Sequence, residues 1–204
     1  MQRVRDAHSG NTSHRRLDAE NLLDLDLDAA KAQLWDSFLH ARLGDVSRNR
    51  PLLLIDIDGV LNVYGVSSCP DGYAEHLLFP EDDEPTRLAA AHGPWLRELA
   101  VEFDLVWASG WGFEAHARLG PILGVDEFPF VPMPAIPFAP RDKIPAVAGY
   151  VGDRPVVWID DLVVPEARDW AAARSAPTLL IETDHTCGLL REHVDEALSW
   201  ARHH

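Results

Sequence analysis

Acidic and hydroxyl side chains follow three apolar runs of this chain, each at the point where the run ends. Asp56 and Asp58 follow the run LLLI, Ser109 follows LVWA, and Asp160 and Asp161 follow VVWI. In a doubly wound α/β sheet, ligands bind outside the carboxyl ends of the strands. If the three runs are parallel strands, we expect these five side chains to meet at one edge of the sheet.

The chemistry that such a cluster suits is that of a hard metal ion. Carboxylates packed together repel one another unless a positive charge lies among them. Mg²⁺ takes oxygen ligands of this kind, with several waters and the phosphate oxygens of a substrate. The two cysteines, Cys69 and Cys187, are far apart and lack C-x-x-C spacing, which fits neither a zinc site nor a disulfide framework. The sequence therefore predicts a Mg²⁺ site.

Each of these residues also has a purely structural explanation, which the sequence leaves open. An Asp at a strand end often caps the next helix or turn, and this applies above all to Asp160 and Asp161. Ser109 could be the N-cap of a helix that begins near Gly112. The pair at 56 and 58 is harder to explain in this way, because two acids at the end of a buried strand repel each other.

Lysine is rare in this chain. Of its 18 basic residues only Lys31 and Lys143 are lysines, and Lys143 stands where a helix is predicted to begin. An ammonium group is a compact point charge, unlike the planar guanidinium of arginine, so Lys143 is a candidate contact for a phosphate. The alternative is a solvated surface lysine, with Arg141 as a substitute phosphate contact.

The elements that must position these residues alternate between strand and helix. Uninterrupted apolar runs predict buried strands, and apolar residues at helical spacing predict helices. The predicted strands are 52–55, 103–108, 156–159 and 178–181. The predicted helices are one that ends with 94–101, then 112–119, 143–150, 165–174 and 189–201. This alternation predicts an α/β fold, a doubly wound parallel sheet with helices on both faces.

Two irregular segments border the predicted edge. Residues 62–85 combine glycines and prolines with a few apolar pairs, and they predict a loop or a small hairpin flap. Residues 128–140 contain five prolines and predict a short strand followed by an extended loop. Asn62 either contacts substrate or closes a turn, and Trp111 either packs at the rim or stacks on a substrate ring.

The first fifty residues differ from the rest. Residues 1–24 are polar with little periodicity, which predicts a mobile tail. Apolar residues recur at helical spacing between 26 and 42, which predicts an amphipathic helix within an accessory segment, 25–50. The main domain is then 51–204.

The net charge and the hydropathy of the chain limit the classes of partner that it is expected to have. The formal net charge of −15 repels nucleic-acid backbones, so extended nucleic acid is not an expected partner. No apolar stretch of about 18 residues occurs, and the N-terminus lacks the apolar region of a secretory signal. We expect a cytoplasmic protein with no membrane contact.

Taken in order, these motifs resemble those of the haloacid-dehalogenase (HAD) superfamily, in particular small bacterial members with a minimal cap. The first motif of that superfamily is matched by LLLIDIDGVLN, the second by DLVWASGW, the third by RDKIP and the fourth by VVWIDD. The resemblance covers about residues 51 to 201. It implies a HAD-type Rossmannoid sheet for the domain 51–204, with the small flap at 62–85.

The resemblance implies a catalytic role for four residues. Asp56 would be the nucleophile that attacks phosphorus, giving an aspartyl-phosphate. Asp58 would protonate the leaving oxygen and then activate water. Ser109 and Lys143 would hold the oxygens of the transferred phosphoryl group.

The resemblance also implies a ligand set for Mg²⁺. Asp161 would be the direct ligand, together with Asp56 and the backbone carbonyl of Asp58. Asp160 would lie behind it or replace it as a ligand, and the sequence does not decide between the two neighbours.

The implied function is Mg²⁺-dependent phosphoryl transfer, with hydrolysis of a small phosphomonoester as the main hypothesis, so that the protein would be a phosphatase. Alternatives are a nucleotide or nucleic-acid-end phosphatase, a catalytically silent binding module, and a receiver-like signalling module. The order of the motifs opposes the last, because receivers place their acidic pair first and their lysine last. A homodimer that closes an open site is a further possible partner arrangement.

Overall fold

The computed structural model describes residues 50–79 and 84–204. Within them the protein is an α/β structure, with a central parallel sheet, an antiparallel hairpin and five α-helices. The expectations for a tail at 1–24 and an accessory helix within 25–50 lie outside the described residues, apart from Arg50.

The central sheet has four strands. They are β1 (Leu52–Ile55), β4 (Asp104–Trp107), β5 (Val156–Asp160) and β6 (Thr178–Glu182), and all four predicted strands are confirmed. All pairings are parallel, in the order β4-β1-β5-β6. Because β4 lies on one side of β1 and β5 on the other, the chain reverses its direction of winding at β1. In open α/β sheets the ligand site lies at this point.

Helices cover both faces of the sheet. They are α1 (His92–Glu102), α2 (Glu114–Leu123), α3 (Lys143–Val151), α4 (Pro165–Ala173) and α5 (Arg191–Ala201). The side chains of β1 alternate, so that Leu53 and Ile55 pack in one core with α1, α2 and α5, while Leu52 and Leu54 pack in another with α3 and α4. The prediction of a parallel sheet with helices on both faces is confirmed.

The predicted helices are present, but α5 begins at Arg191 rather than at 189, and the bounds of α2 differ most from the prediction. The expected start of α2 at Gly112 is two residues early, and the helix continues to Leu123 rather than ending at 119. Gly112 has φ of +51°, a left-handed conformation that does not belong to a right-handed helix. The chain therefore turns at Gly112 before α2 begins.

The segment after β1 does form a hairpin. Its strands β2 (Tyr73–His76) and β3 (Thr86–Ala89) pair in antiparallel fashion, so the flap extends past the expected limit of 85. By contrast, the short strand expected at the start of 128–140 is wrong. Only an isolated bridge forms there, between Phe130 and Trp107, because the neighbouring prolines cannot donate ladder hydrogen bonds.

None of the described helices combines the length and the apolar character needed to cross a bilayer.

His92, the first residue of α1, is fully buried. Its Nδ1 accepts a hydrogen bond from the backbone N–H of Ala89 at 3.4 Å, and its ring meets that of Tyr73 edge to face. Burial lowers the pKa of His92 to about 4, although a backbone contact with Leu189 offsets part of the shift. A folded-state pKa below that of the unfolded chain means that the unfolded chain binds the proton first as the pH falls.

We therefore expect His92 to make the protein less stable in acid. Its contribution is fully present above the unfolded pKa of 6.5 and is lost as the pH falls towards about 4. Between about pH 7.5 and pH 5 the loss amounts to about 2 kcal/mol. Urea unfolding at both pH values should show this difference for the wild type and for His204→Gln, an exposed control, but not for His92→Phe. Equal pH dependence in all three proteins would contradict it.

Candidate functional site

The predicted site residues lie at the carboxyl edge of the sheet, on both sides of the switch point. Ile55, the last residue of β1, is in register with Trp107 of β4 and with Ile159 of β5. Asp56 and Asp160 are therefore level on neighbouring strands, and Ser109 follows two residues after the end of β4. The three-strand convergence expected from the sequence is present in the structure.

Lys143 lies between two of these carboxylates. Its Nζ donates to Oδ2 of Asp56 at 2.5 Å and to Oδ2 of Asp160 at 2.7 Å. The three residues are 7%, 5% and 1% exposed, respectively. Lys143 is the first residue of α3, so this helix starts at the sheet edge and sends the ammonium group into the site. The surface-lysine alternative does not apply.

Burial and the neighbouring opposite charges shift the pKa values of Asp56 and Lys143 in opposite directions. Burial, and after it the negative charge of Asp160, raise the pKa of Asp56 to about 7, while the charge of Lys143 lowers it. Burial by itself would lower the pKa of Lys143, but attraction from the two carboxylates outweighs it and the pKa is raised above its ordinary value. The ammonium group thus stays charged, and each carboxylate depends on it for compensation.

Asp161 occupies a more open position beside this group. It is half-buried, and its Oδ2 accepts a hydrogen bond from the Tyr64 hydroxyl at 2.8 Å. Burial raises the pKa of Asp161, with the hydrogen bond from Tyr64 acting in the opposite sense. Burial also raises the pKa of Tyr64 to about 12, helped by that hydrogen bond. Tyr64 therefore remains protonated and can only donate to the carboxylate.

A tight turn after β1 allows Asp161 to approach. Gly59 has φ of +76°, and a Cβ placed on it would lie 2.3 Å from Cγ and Oδ2 of Asp161. The carbonyl of Gly59 accepts a hydrogen bond from the hydroxyl of Thr183, just beyond β6, at 2.9 Å. Glycine is needed at this position both for the left-handed backbone and for the space that Asp161 fills.

We expect Gly59→Ala to destabilise the protein more than Gly72→Ala. Gly72 also has positive φ, at +83°, but nothing lies within 4 Å of a Cβ there. Gly72→Ala should lose about 1 to 2 kcal/mol from the left-handed backbone alone, and Gly59→Ala at least about 1 kcal/mol more from the clash. Urea unfolding of the two variants measures the difference, and equal losses would show that Asp161 does not lie against Gly59.

The carboxylate of Asp58 has partners other than Lys143. Its Oδ1 accepts from Nδ2 of Asn62 at 2.7 Å, and its Oδ2 accepts from Nε1 of Trp111 at 2.8 Å. Asn62 also closes the turn, since its backbone N–H donates to the carbonyl of Ile57 at 2.8 Å. Trp111 packs against the core beside Phe79, as the rim-packing alternative expected, and its indole N–H in addition donates to Asp58.

Ser109 is buried, and its hydroxyl oxygen accepts a long hydrogen bond of 3.4 Å from the backbone N–H of Trp111. It is not the N-cap of α2, whose N-cap position is Phe113. The structural alternative weighed for Ser109 therefore fails. Asp160 does cap the turn that follows it, because its Oδ1 accepts a hydrogen bond from the backbone N–H of Leu162 at 3.0 Å. Its Oδ2 is at the same time bound to Lys143, so the structural explanation and the site explanation both apply to this residue.

The donor set fits a hard divalent cation. Carboxylate oxygens of Asp56, Asp160 and Asp161 lie within 4.8 Å of one another. Lys143 neutralises one of these three charges, so the group keeps a formal charge of −2 when its members are ionised. All candidate ligand atoms are oxygens, as Mg²⁺ prefers. The side chain of Asp58 is not part of this group, so only its backbone carbonyl remains as the ligand expected at that residue.

Sequence reasoning missed several partners of the site. Tyr64 and Thr183 carry no motif, and their roles come from the loops that follow β1 and β6. The signals that could have suggested Tyr64 are its position eight residues after Asp56 and its single hydroxyl near a predicted acidic edge. The partnership of Asn62 and Trp111 with Asp58 depends on how two loops meet, which no sequence spacing specifies.

Comparisons of the chain with protein-family models and with curated proteins give no match.

Proposed function

We propose that this protein is a Mg²⁺-dependent phosphatase of the HAD type, which hydrolyses small phosphomonoesters through an aspartyl-phosphate. The observation that carries the proposal is the placement of Lys143 between Asp56 and Asp160, with Asp161 beside them at the carboxyl edge of the sheet. A buried lysine shared by two acids, next to a third acid, suits the charge of a phosphoryl group and a divalent cation together.

In the first step, a carboxylate oxygen of Asp56 attacks the phosphorus and forms a new P–O bond. The bond from phosphorus to the leaving oxygen breaks, and Asp58 gives its proton to that oxygen, so that an alcohol departs. The position of Asp58, two residues along the chain and outside the Lys143 group, suits this division of roles. Asp56, the nucleophile, lies beside the ammonium group of Lys143, whereas Asp58, the acid, is bound by Asn62 and Trp111 instead.

In the second step, Asp58 takes a proton from a water molecule as the water oxygen attacks the phosphorus. The bond from phosphorus to Asp56 breaks, which releases phosphate and restores the carboxylate. Asp58 ends the cycle protonated, as it began.

Lys143 and Ser109 act on the phosphoryl group in both steps. The ammonium group of Lys143 offsets the charge on the phosphoryl oxygens, and the hydroxyl of Ser109 can donate a hydrogen bond to one of them. Ser109 is available for this because, among the described residues, its hydroxyl serves only as the acceptor of one long hydrogen bond.

Asp56, Asp161 and the backbone carbonyl of Asp58 would hold Mg²⁺, with Asp160 as the alternative ligand. The ion would neutralise the attacking carboxylate and the phosphate, so that one anion can approach another. Asp161 is the better side-chain candidate of the acidic pair. It has one recorded hydrogen bond to a side chain and is half-buried, whereas Asp160 is held by both Lys143 and Leu162.

The experiment is hydrolysis of an aryl phosphate, followed by a panel of natural phosphomonoesters, with Mg²⁺ and with EDTA. We expect turnover that requires the metal, and a covalent phosphoryl adduct on Asp56 after an acid quench, detected by peptide mass spectrometry. Calorimetric Mg²⁺ binding should weaken at least about tenfold in Asp161→Asn and stay unchanged in Asp153→Asn, an exposed control. A folded wild type that neither binds Mg²⁺ nor hydrolyses any member of the panel would overturn the proposal.

A further inference from the structure

The carboxylate of Asp58 is held by two donors that come from different loops. Asn62 donates to Oδ1 and Trp111 donates to Oδ2. We propose that these two residues are positioning residues that aim Asp58 at the leaving group, and that the hairpin β2–β3 sets the position of both. The inference rests on the proposed function, because it assigns the origin of Asp58's orientation in that reaction.

The first connection to the hairpin passes through Trp111. The ring of Phe79, which follows β2, meets the ring of Trp111 edge to face at 4.8 Å between centroids. The guanidinium of Arg118 lies over the ring of Phe79, 4.2 Å from its centroid, and it also donates a hydrogen bond to the carbonyl of Leu78. Arg118 is itself fixed by Glu114 on the same helix, at 2.7 Å. The indole of Trp111 therefore packs against Phe79, and Arg118 of α2 fixes the position of Phe79.

The second connection passes through Asn62. Its Oδ1 accepts a hydrogen bond from the backbone N–H of Arg87, in β3, at 2.8 Å. An amide oxygen bound to an N–H leaves the NH₂ group on the opposite side, which is the side that faces Asp58. Arg87 pairs with Glu75 across the hairpin, both in the strand register and by an ion pair at 3.0 Å. The hairpin strand therefore decides which way the Asn62 amide points.

The chemistry of the two donors suits a positioning role. Neither the Trp111 indole nor the NH₂ group of Asn62 can accept a proton. A proton on Asp58 can therefore pass to the leaving oxygen, but not to either of the groups that hold the carboxyl. Each donor uses one lone pair of one oxygen, so both oxygens keep a site for the proton.

The kinetic test uses two substrates that differ in their need for an acid. An alkyl alkoxide is a poor leaving group and requires the proton of Asp58, whereas a nitrophenolate leaves readily without it. In Trp111→Phe, which keeps a ring against Phe79, we expect kcat/KM to fall about tenfold more for an alkyl phosphate than for nitrophenyl phosphate. In an Asp58→Asn background, the same substitution should have no further effect. Equal losses on both substrates, or full additivity with Asp58→Asn, would overturn the inference.

A second measurement does not need activity. The indole N–H resonance of Trp111, assigned by its loss in Trp111→Phe, should shift in Asp58→Ala and in Phe79→Leu, but not in Trp170→Phe, a control on the opposite face of the sheet. No shift in Asp58→Ala would overturn the contact, and no shift in Phe79→Leu would overturn the role of the hairpin. If the resonance responds as expected while the wild type neither binds Mg²⁺ nor hydrolyses any phosphomonoester of the panel, the proposed function fails and the arrangement around Asp58 stands.

Discussion

Asp56→Asn is expected to lower the Mg²⁺-dependent hydrolysis of an aryl phosphate by at least about a thousandfold. An amide oxygen is a far weaker nucleophile than a carboxylate, so the aspartyl-phosphate cannot form. The substitution keeps the shape of the side chain and an acceptor for Lys143, so the fold should persist. Initial rates at several substrate concentrations, with circular dichroism to check folding, provide the measurement.

A matched control separates loss of the nucleophile from loss of one negative charge. Asp169 lies exposed on α4, and Asp169→Asn makes the same chemical change at a position outside the site. It should keep the activity of the wild type. If Asp56→Asn retained more than about a tenth of the wild-type rate, the carboxylate of Asp56 would not be the group that attacks phosphorus.

Lys143→Met is expected to lower the free energy of unfolding by about 3 to 5 kcal/mol when Mg²⁺ is absent. The change leaves Asp56 and Asp160 buried side by side with no cation between them, and uncompensated buried charge is costly. The loss should be smaller when Mg²⁺ is present, because a cation held by Asp56 and Asp161 would offset part of the negative charge that Lys143 compensates in the wild type. Urea unfolding with EDTA and with excess Mg²⁺ measures both values.

Two further variants make this result specific. Arg168→Met removes an exposed ion pair with Glu182 and should cost no more than about 1 kcal/mol. Adding Asp160→Asn to Lys143→Met removes one of the unpaired charges and should recover part of the lost stability. A loss in Lys143→Met no larger than that in Arg168→Met would mean that the lysine does not compensate the two acids.

The sheet could be predicted because its signals are local. The apolar runs of β1 and β5 are unbroken, and such runs are typical of strands covered on both faces. The start of α3 at Lys143 agrees with the predicted helix 143–150. The error at 128–140 arose because aromatic residues between prolines have strand propensity, while the prolines remove the donors that a strand requires. The late start of α2 depends on the left-handed turn at Gly112, a backbone choice that periodicity does not report.

The site could be predicted only in part. Residues at strand ends were placed correctly because parallel strands bring their carboxyl ends to one edge. The pattern could not tell which acid Lys143 would contact, or that Asp58 would lie apart from the other acids. Those outcomes depend on the loops after β1 and β4, where Tyr64, Asn62 and Trp111 meet partners far away in the sequence.

The contact between Lys143 and Asp56 joins residues 87 positions apart. Asp160, the last residue of β5, can reach the same lysine only when β5 has paired with β1. Contacts of such long range form late, since the chain must close a large loop before they stabilise anything. A ribosome-bound chain that has not yet exposed β5 therefore has a strand ending in Asp56, and can already contain Lys143, but it lacks the acidic pair Asp160 and Asp161. High-affinity Mg²⁺ binding would then report completed folding, and a fragment that ends before residue 156 should bind the ion no better than a peptide.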